Sequence, residues 1–163
     1  MNVVLIGMPG AGKSTIGVLL AKTLGKSFTD TDLIIQRAAG MKLADILAEF
    51  GAERFREMED AALMSVDGDE TVVATGGSAV YCERGMERLG KSGRIVYLDV
   101  PLPELERRLT EIKTRGVVMR EGETIAQLCE ERRPYYERYA DITIKADGDA
   151  ESVVAAITKA LGM

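Results

Sequence analysis

The sequence predicts an α/β fold of three layers, a five-stranded parallel sheet flanked by helices, and three observations carry that reading. Short unbroken apolar runs at residues 3–6, 71–74 and 95–98 suit strands buried on both faces. Residues with helical spacing lie between these runs, as a βαβ series requires. A glycine-rich turn joins the first run to the first helical pattern, where such folds collect their ligands.

In chain order, the strand at 3–6 is followed by a helix whose apolar face is Ile16, Leu19, Leu20, Thr23 and Leu24, closed by Gly25. Residues 28–32 (FTDTD) stand where the next strand should end. Ala52, Phe55, Met58 and Ala62 form a further helical face ahead of the strand at 71–74, with Phe55 and Met58 reading as core. A helix over 102–113 follows the strand at 95–98. Residues 142–144 make a weaker, alternating strand, and Val153, Val154, Ile157 and Leu161 predict a last helix ending at Gly162. Between two helices, residues 114–123 (TRGVVMREGE) are polar and contain glycine; they read as a mobile lid or as a plain surface loop.

A chain of 163 residues with 46% hydrophobic content can bury one ordinary core, so a single domain over 1–163 is expected, with the lid at about 114–124. The net charge of −5 argues against a nucleic-acid binder or a protein held to acidic lipid. Cys82 and Cys129 fit neither a disulfide framework nor a metal spacing and read as reduced thiols. The apolar run near the start is too short for a signal peptide, and a soluble, cytoplasmic protein is expected. Histidine is absent, which removes Ser-His-Asp and Cys-His catalysis and His-ligated zinc; a proton acceptor must be a carboxylate, Lys, Tyr or Cys.

Gly7–Ser14 (GMPGAGKS) matches the phosphate-binding pattern G-x-x-x-x-G-K-[ST] between a strand and a helix. Its glycines let backbone N–H groups curl around a phosphate at the positive end of the helix, Lys13 reaches the β and γ oxygens, and the Ser14 hydroxyl can ligate Mg2+. Gly10, Ala11, Gly12, Lys13, Ser14 and Thr15 are therefore the candidate nucleotide-binding residues. No Asn-Lys-x-Asp occurs to read guanine. Asp99, closing the run at 95–98, reads either as the metal-binding acid of a motor ATPase or as a cap of the turn into Pro101.

A small-molecule kinase needs instead a carboxylate beside the phosphates and cations to neutralise phosphoryl charge. Asp30 and Asp32 are placed for the first role: at i and i+2 they project the same way if the segment is extended, one for the metal and one for an acceptor hydroxyl. They read equally as a helix N-cap and its neighbour.

With GMPGAGKST, TDTDL, FRE at 55–57, ATGG at 74–77, KTRG at 113–116 and ERRPYYERYADI at 131–142, in that order, nearly the whole chain resembles the shikimate kinase family of P-loop proteins. The resemblance implies a P-loop kinase fold using ATP and Mg2+. It implies that Lys13 and Ser14 handle phosphates and metal, with Asp30 supporting the hydrated ion, and that Asp32 binds the acceptor hydroxyls and serves as base. Arg56 and Arg132 would clamp a substrate carboxylate, Gly76 and Gly77 would let the backbone approach the substrate, Arg115 would meet phosphoryl oxygens from the lid, and Arg108 would lie against adenine. Each arginine also reads as a solvated helix charge. Two departures concern the acceptor: Ser78 stands where the family usually has a third glycine, and Gly116 where it usually has proline.

The expectation is a monomeric kinase transferring the γ-phosphoryl group to a hydroxyl of a small carboxylate, with shikimate 3-phosphorylation as the leading case. A homoserine kinase on the same fold and a regulatory nucleotide-binding module without an acceptor are the alternatives.

Overall fold

A computed structural model describes residues 1–110 and 117–163 of the chain. Its single sheet has five strands, β1 (Asn2–Ile6), β2 (Ser27–Asp30), β3 (Thr71–Ala74), β4 (Gly93–Asp99) and β5 (Ile142–Lys145), in the order β2-β3-β1-β4-β5. Every pairing is parallel. The α/β architecture and strand count expected from the sequence are therefore those observed.

The central strands β1 and β3 are buried throughout, which is why they read as unbroken apolar runs; β5 lies at an edge and alternates. Helices cover both faces: α1 (Lys13–Leu24), α2 (Thr31–Ala39), α3 (Leu43–Met64), α4 (Glu83–Ser92), α5 (Leu102–Leu109), α6 (Ile125–Tyr139) and α7 (Ala150–Ala160). The main core surrounds the sheet, and a smaller one of Ile35, Ile46, Phe55 and Ala62 lies between α2 and α3.

Two local departures from the sequence reading have physical causes. Gly51, at φ 81° and ψ 174°, kinks α3, and Ala52 just after it is exposed instead of joining the apolar face. The segment at 28–32 is extended only as far as Asp30, because Thr31 already starts α2 with Asp30 as its cap. The helix expected over 102–113 is α5, described to Leu109. Among the described residues no helix is long and apolar enough to cross a membrane. Cys82 and Cys129 are both free thiols.

Register sets the site. Leu5 and Asp30 both lie level with Ala74, so the C-terminal ends of β1, β2 and β3 finish side by side. Thr75 locks this edge: its N–H (3.2 Å) and its hydroxyl (2.9 Å) both donate to the Leu5 carbonyl.

Candidate active site

At that edge opens a cavity of 410 Å³. Gly10, Gly12, Lys13, Ser14, Thr15, Asp32, Gly76, Gly77 and Arg132, nine of the residues singled out in the sequence, line it. Asp30 does not line it but is hydrogen-bonded to Ser14 and Asp32, which do, and Ala11 lines a neighbouring cavity. Arg115 and Gly116 lie outside the described residues.

The phosphate loop takes its form from glycine: Gly12 caps α1 at φ 87°, ψ 18°, a left-handed conformation that only glycine adopts without strain. Lys13, in the first turn, is buried, and its ammonium donates to the carbonyls of Gly7 (2.7 Å) and Met8 (2.8 Å). Burial lowers its pKa to about 8, against the opposing pull of Asp32.

Beside it, Ser14 Oγ donates to Asp30 Oδ2 at 2.6 Å, while Asp30 Oδ1 accepts the Asp32 N–H at 2.9 Å. Asp30 is thus both the helix cap and the neighbour of the loop serine; the two sequence readings of this residue hold together. Ser14 and Asp30 form an oxygen-only donor pair next to the phosphate loop. That set suits a hard divalent ion such as Mg2+, which is typically held by one or two protein oxygens together with substrate phosphates.

Asp32 is not aimed by strand geometry. It sits in the first turn of α2 and faces the cavity, where burial and the nearby Asp30 charge raise its pKa to about 6, partly offset by Lys13. Opposite lies Glu59 of α3, 1% exposed, accepting a 2.6 Å hydrogen bond from the Ser78 hydroxyl. Burial raises its pKa to about 7, although the Ser78 bond works the other way.

Gly76 separates these two carboxylates. A Cβ there would stand 2.6 Å from Glu59 Oε2 and 2.8 Å from Asp32 Oδ1, and one on Gly77 would strike Pro9 at 2.6 Å. Close approach is therefore required within the protein itself, besides any approach to a ligand. Tyr136 of α6, fully buried, fixes this segment by donating to the Gly77 carbonyl at 2.7 Å and stacks on Tyr97 of β4 with ring centres 5.0 Å apart.

The two arginines meet over one ring. The Arg56 guanidinium lies 5.1 Å and that of Arg132 5.6 Å from the centre of Tyr81. Arg132 is 1% exposed, donates to the Val118 carbonyl at 2.7 Å and leaves Nε without a partner among the described residues. Arg56 is exposed and does not line the cavity.

Arg108 stands on the other side of the phosphate loop, in a second cavity of 220 Å³ with Ala11, Gly12, Thr15 and Val153. It donates to Glu104 (2.8 Å) and to the Gly10 carbonyl (3.0 Å). Asp99 is engaged elsewhere, by Arg133 at 3.5 Å and the Tyr97 hydroxyl at 3.3 Å, and does not line the main cavity.

Glu59, Tyr81 and Tyr136 went unassigned in the sequence. Glu59 lies three residues after Arg56, on the same side of a helix, and that spacing was the available signal.

Residues 9–162 match the family model for shikimate kinase. A shikimate kinase of Moorella thermoacetica is 40% identical over 156 residues, covering 94% of this chain and 90% of that protein. The chain belongs to the shikimate kinase family. A shikimate kinase of Vibrio parahaemolyticus is 36% identical over 157 residues, covering 94% of this chain and 91% of the relative. Among solved structures, shikimate kinase from Acinetobacter baumannii in complex with shikimate superposes with a TM-score of 0.91 at 31% identity, covering 98% of this chain and 92% of that one. The shikimate kinase of Aquifex aeolicus gives 0.87 at 32% identity, covering 99% and 96%.

Proposed function

We propose that the chain transfers the γ-phosphoryl group of ATP to a hydroxyl of shikimate, giving shikimate 3-phosphate and ADP. The observation that carries this reading is the convergence of a phosphate loop, a buried carboxylate and a buried arginine on one cavity, in a fold that superposes on a family member holding shikimate.

In this reading the triphosphate lies along residues 10–15, with Lys13 turning its ammonium from loop carbonyls to phosphoryl oxygens. Adenine lies in the cavity beside Arg108. Arg132, with a donor to spare, binds the substrate carboxylate, and Arg56 completes the clamp from across Tyr81. Arginine suits this role because its planar fork matches a carboxylate. Asp32 accepts the proton of the attacking hydroxyl as that oxygen bonds to the γ-phosphorus and the bond to the β-phosphate oxygen breaks. A raised pKa makes it a stronger base while leaving it largely ionised at neutral pH. Arg115 meets the transferred group from a lid at 114–124.

Ser14 and Asp30 would hold Mg2+, which when bound neutralises charge on the β and γ oxygens. The protein's own share is positioning and electrostatic stabilisation, worth most where water is excluded. The single sheet is in keeping with a single domain and the two free thiols with a reducing, cytoplasmic compartment; the chain is proposed to act as a monomer.

The test is ADP release with MgATP, followed with shikimate, with L-homoserine and without acceptor. Release dependent on shikimate is expected. Release with homoserine alone would make the acceptor a smaller hydroxy acid, and release indifferent to either would indicate a nucleotide-binding module.

A further inference from the structure

Glu59 presents an unusual pair of oxygens. Oε1 accepts the Ser78 hydroxyl at 2.6 Å, while Oε2, equally buried, has no hydrogen-bond partner among the described residues. A buried carboxylate oxygen left unpaired is costly and calls for an explanation. The unpaired oxygen faces Gly76 from α3, as Asp32 Oδ1 does from α2, and both carboxylates line the main cavity.

The last torsion of a glutamate is broad, so the carboxylate plane is set by its partners and not by its own rotamer. Ser78 is suited to set it. Its side chain is almost fully buried, and its backbone is fixed by the turn that follows, where its carbonyl accepts the Tyr81 N–H at 3.1 Å. With one oxygen held, the other lies against Gly76, at the wall of the acceptor space.

We propose that Ser78 is a positioning residue of the acceptor site: by holding Glu59 Oε1, its hydroxyl aims Oε2 at a hydroxyl of the bound acceptor. Asp32 and Glu59 then receive the acceptor's hydroxyls from two sides of Gly76, while Arg132 takes its carboxylate. This rests on the kinase reading above and deepens it. It also turns the Ser78 departure inward, toward Glu59 and away from the surface a ring would lie on.

The experiment is steady-state kinetics with varied shikimate and varied MgATP on the wild-type chain and on Ser78→Ala, Ser78→Gly and Ser78→Thr, each checked by a thermal melt. Loss of the hydrogen bond that holds Glu59 predicts a rise of about tenfold in the KM for shikimate in the Ala and Gly variants. The KM for ATP stays at the wild-type value, kcat changes less than the shikimate KM, and Ser78→Thr, which keeps the hydroxyl, returns the shikimate KM toward wild type. An unchanged shikimate KM in both donor-less variants overturns the proposal. So does an equal rise in both KM values, or failure of Ser78→Thr to restore binding. A wild-type chain that does not phosphorylate shikimate overturns the underlying functional reading, a result visible before any variant is compared.

Discussion

Ser14 and Asp30 are joined by a 2.6 Å hydrogen bond, and the second oxygen of the same carboxylate caps the helix that carries Asp32. One side chain therefore ties the phosphate loop to the acceptor side of the site. Asp30→Ala removes the cap and should cost about 1 kcal/mol. Asp30→Asn keeps a good cap, so it should melt close to wild type while requiring more Mg2+ for half-maximal turnover. Thermal melts and Mg2+ titrations of both variants separate the two roles; an Asn variant with an unaltered Mg2+ requirement would confine Asp30 to capping.

Asp32 carries the proton in this account. Asp32→Asn keeps the shape and loses the base, and kcat should fall by about 100-fold or more, the usual share of a general base. The dissociation constant for MgATP, measured by calorimetry, should scarcely change. A large loss of nucleotide affinity would exchange the roles of Asp30 and Asp32.

Tyr136→Phe deletes the hydroxyl that donates to Gly77 and leaves that carbonyl short of a partner. The expected cost is about 1–2 kcal/mol, or a fall in Tm of about 2–8 °C for a chain of this size. Differential scanning calorimetry reads it directly, and an unchanged Tm would mean that the Gly77 carbonyl finds another donor.

Glu59 gives a pH dependence of defined sign. Burial raises its pKa from 4.5 to about 7, so the folded state holds a proton that the unfolded chain has already released between those values. Its contribution to stability is therefore fully present below about pH 4.5 and is lost as the pH rises through about 7. Glu59→Gln, which cannot ionise, should gain on the wild-type chain over that window, by up to about 2–3 kcal/mol. Paired melts at pH 4.5 and pH 8 test this, since groups that do not sense Glu59 cancel in the difference; a constant difference would contradict it.

Much of this arrangement was legible from residue order. Unbroken apolar runs disclosed the buried strands because parallel strands covered on both faces have no polar side, and the phosphate loop was legible because its backbone form demands glycine. Of the two readings of Asp30 and Asp32, the extended one holds only as far as Asp30 and the capping one holds from there, because the helix begins between them and gives each a separate task. Glu59 stands in the charged stretch FREMED, yet four residues after Phe55 and three before Ala62 it falls on the buried face of α3, a periodic signal that its charge masks. What closes over it is the Ser78 turn, 19 residues on in sequence, and that tertiary contact is not legible locally. The same holds for Tyr81, whose ring gathers Arg56 and Arg132 from two different helices.

The central claim is phosphoryl transfer to an acceptor bound between Asp32 and Arg132. It is tested most directly by following 31P NMR of the chain with MgATP and shikimate. The account predicts a new phosphomonoester resonance that grows in step with ADP. Inorganic phosphate growing in step with ADP, with no phosphorylated acceptor, would contradict it.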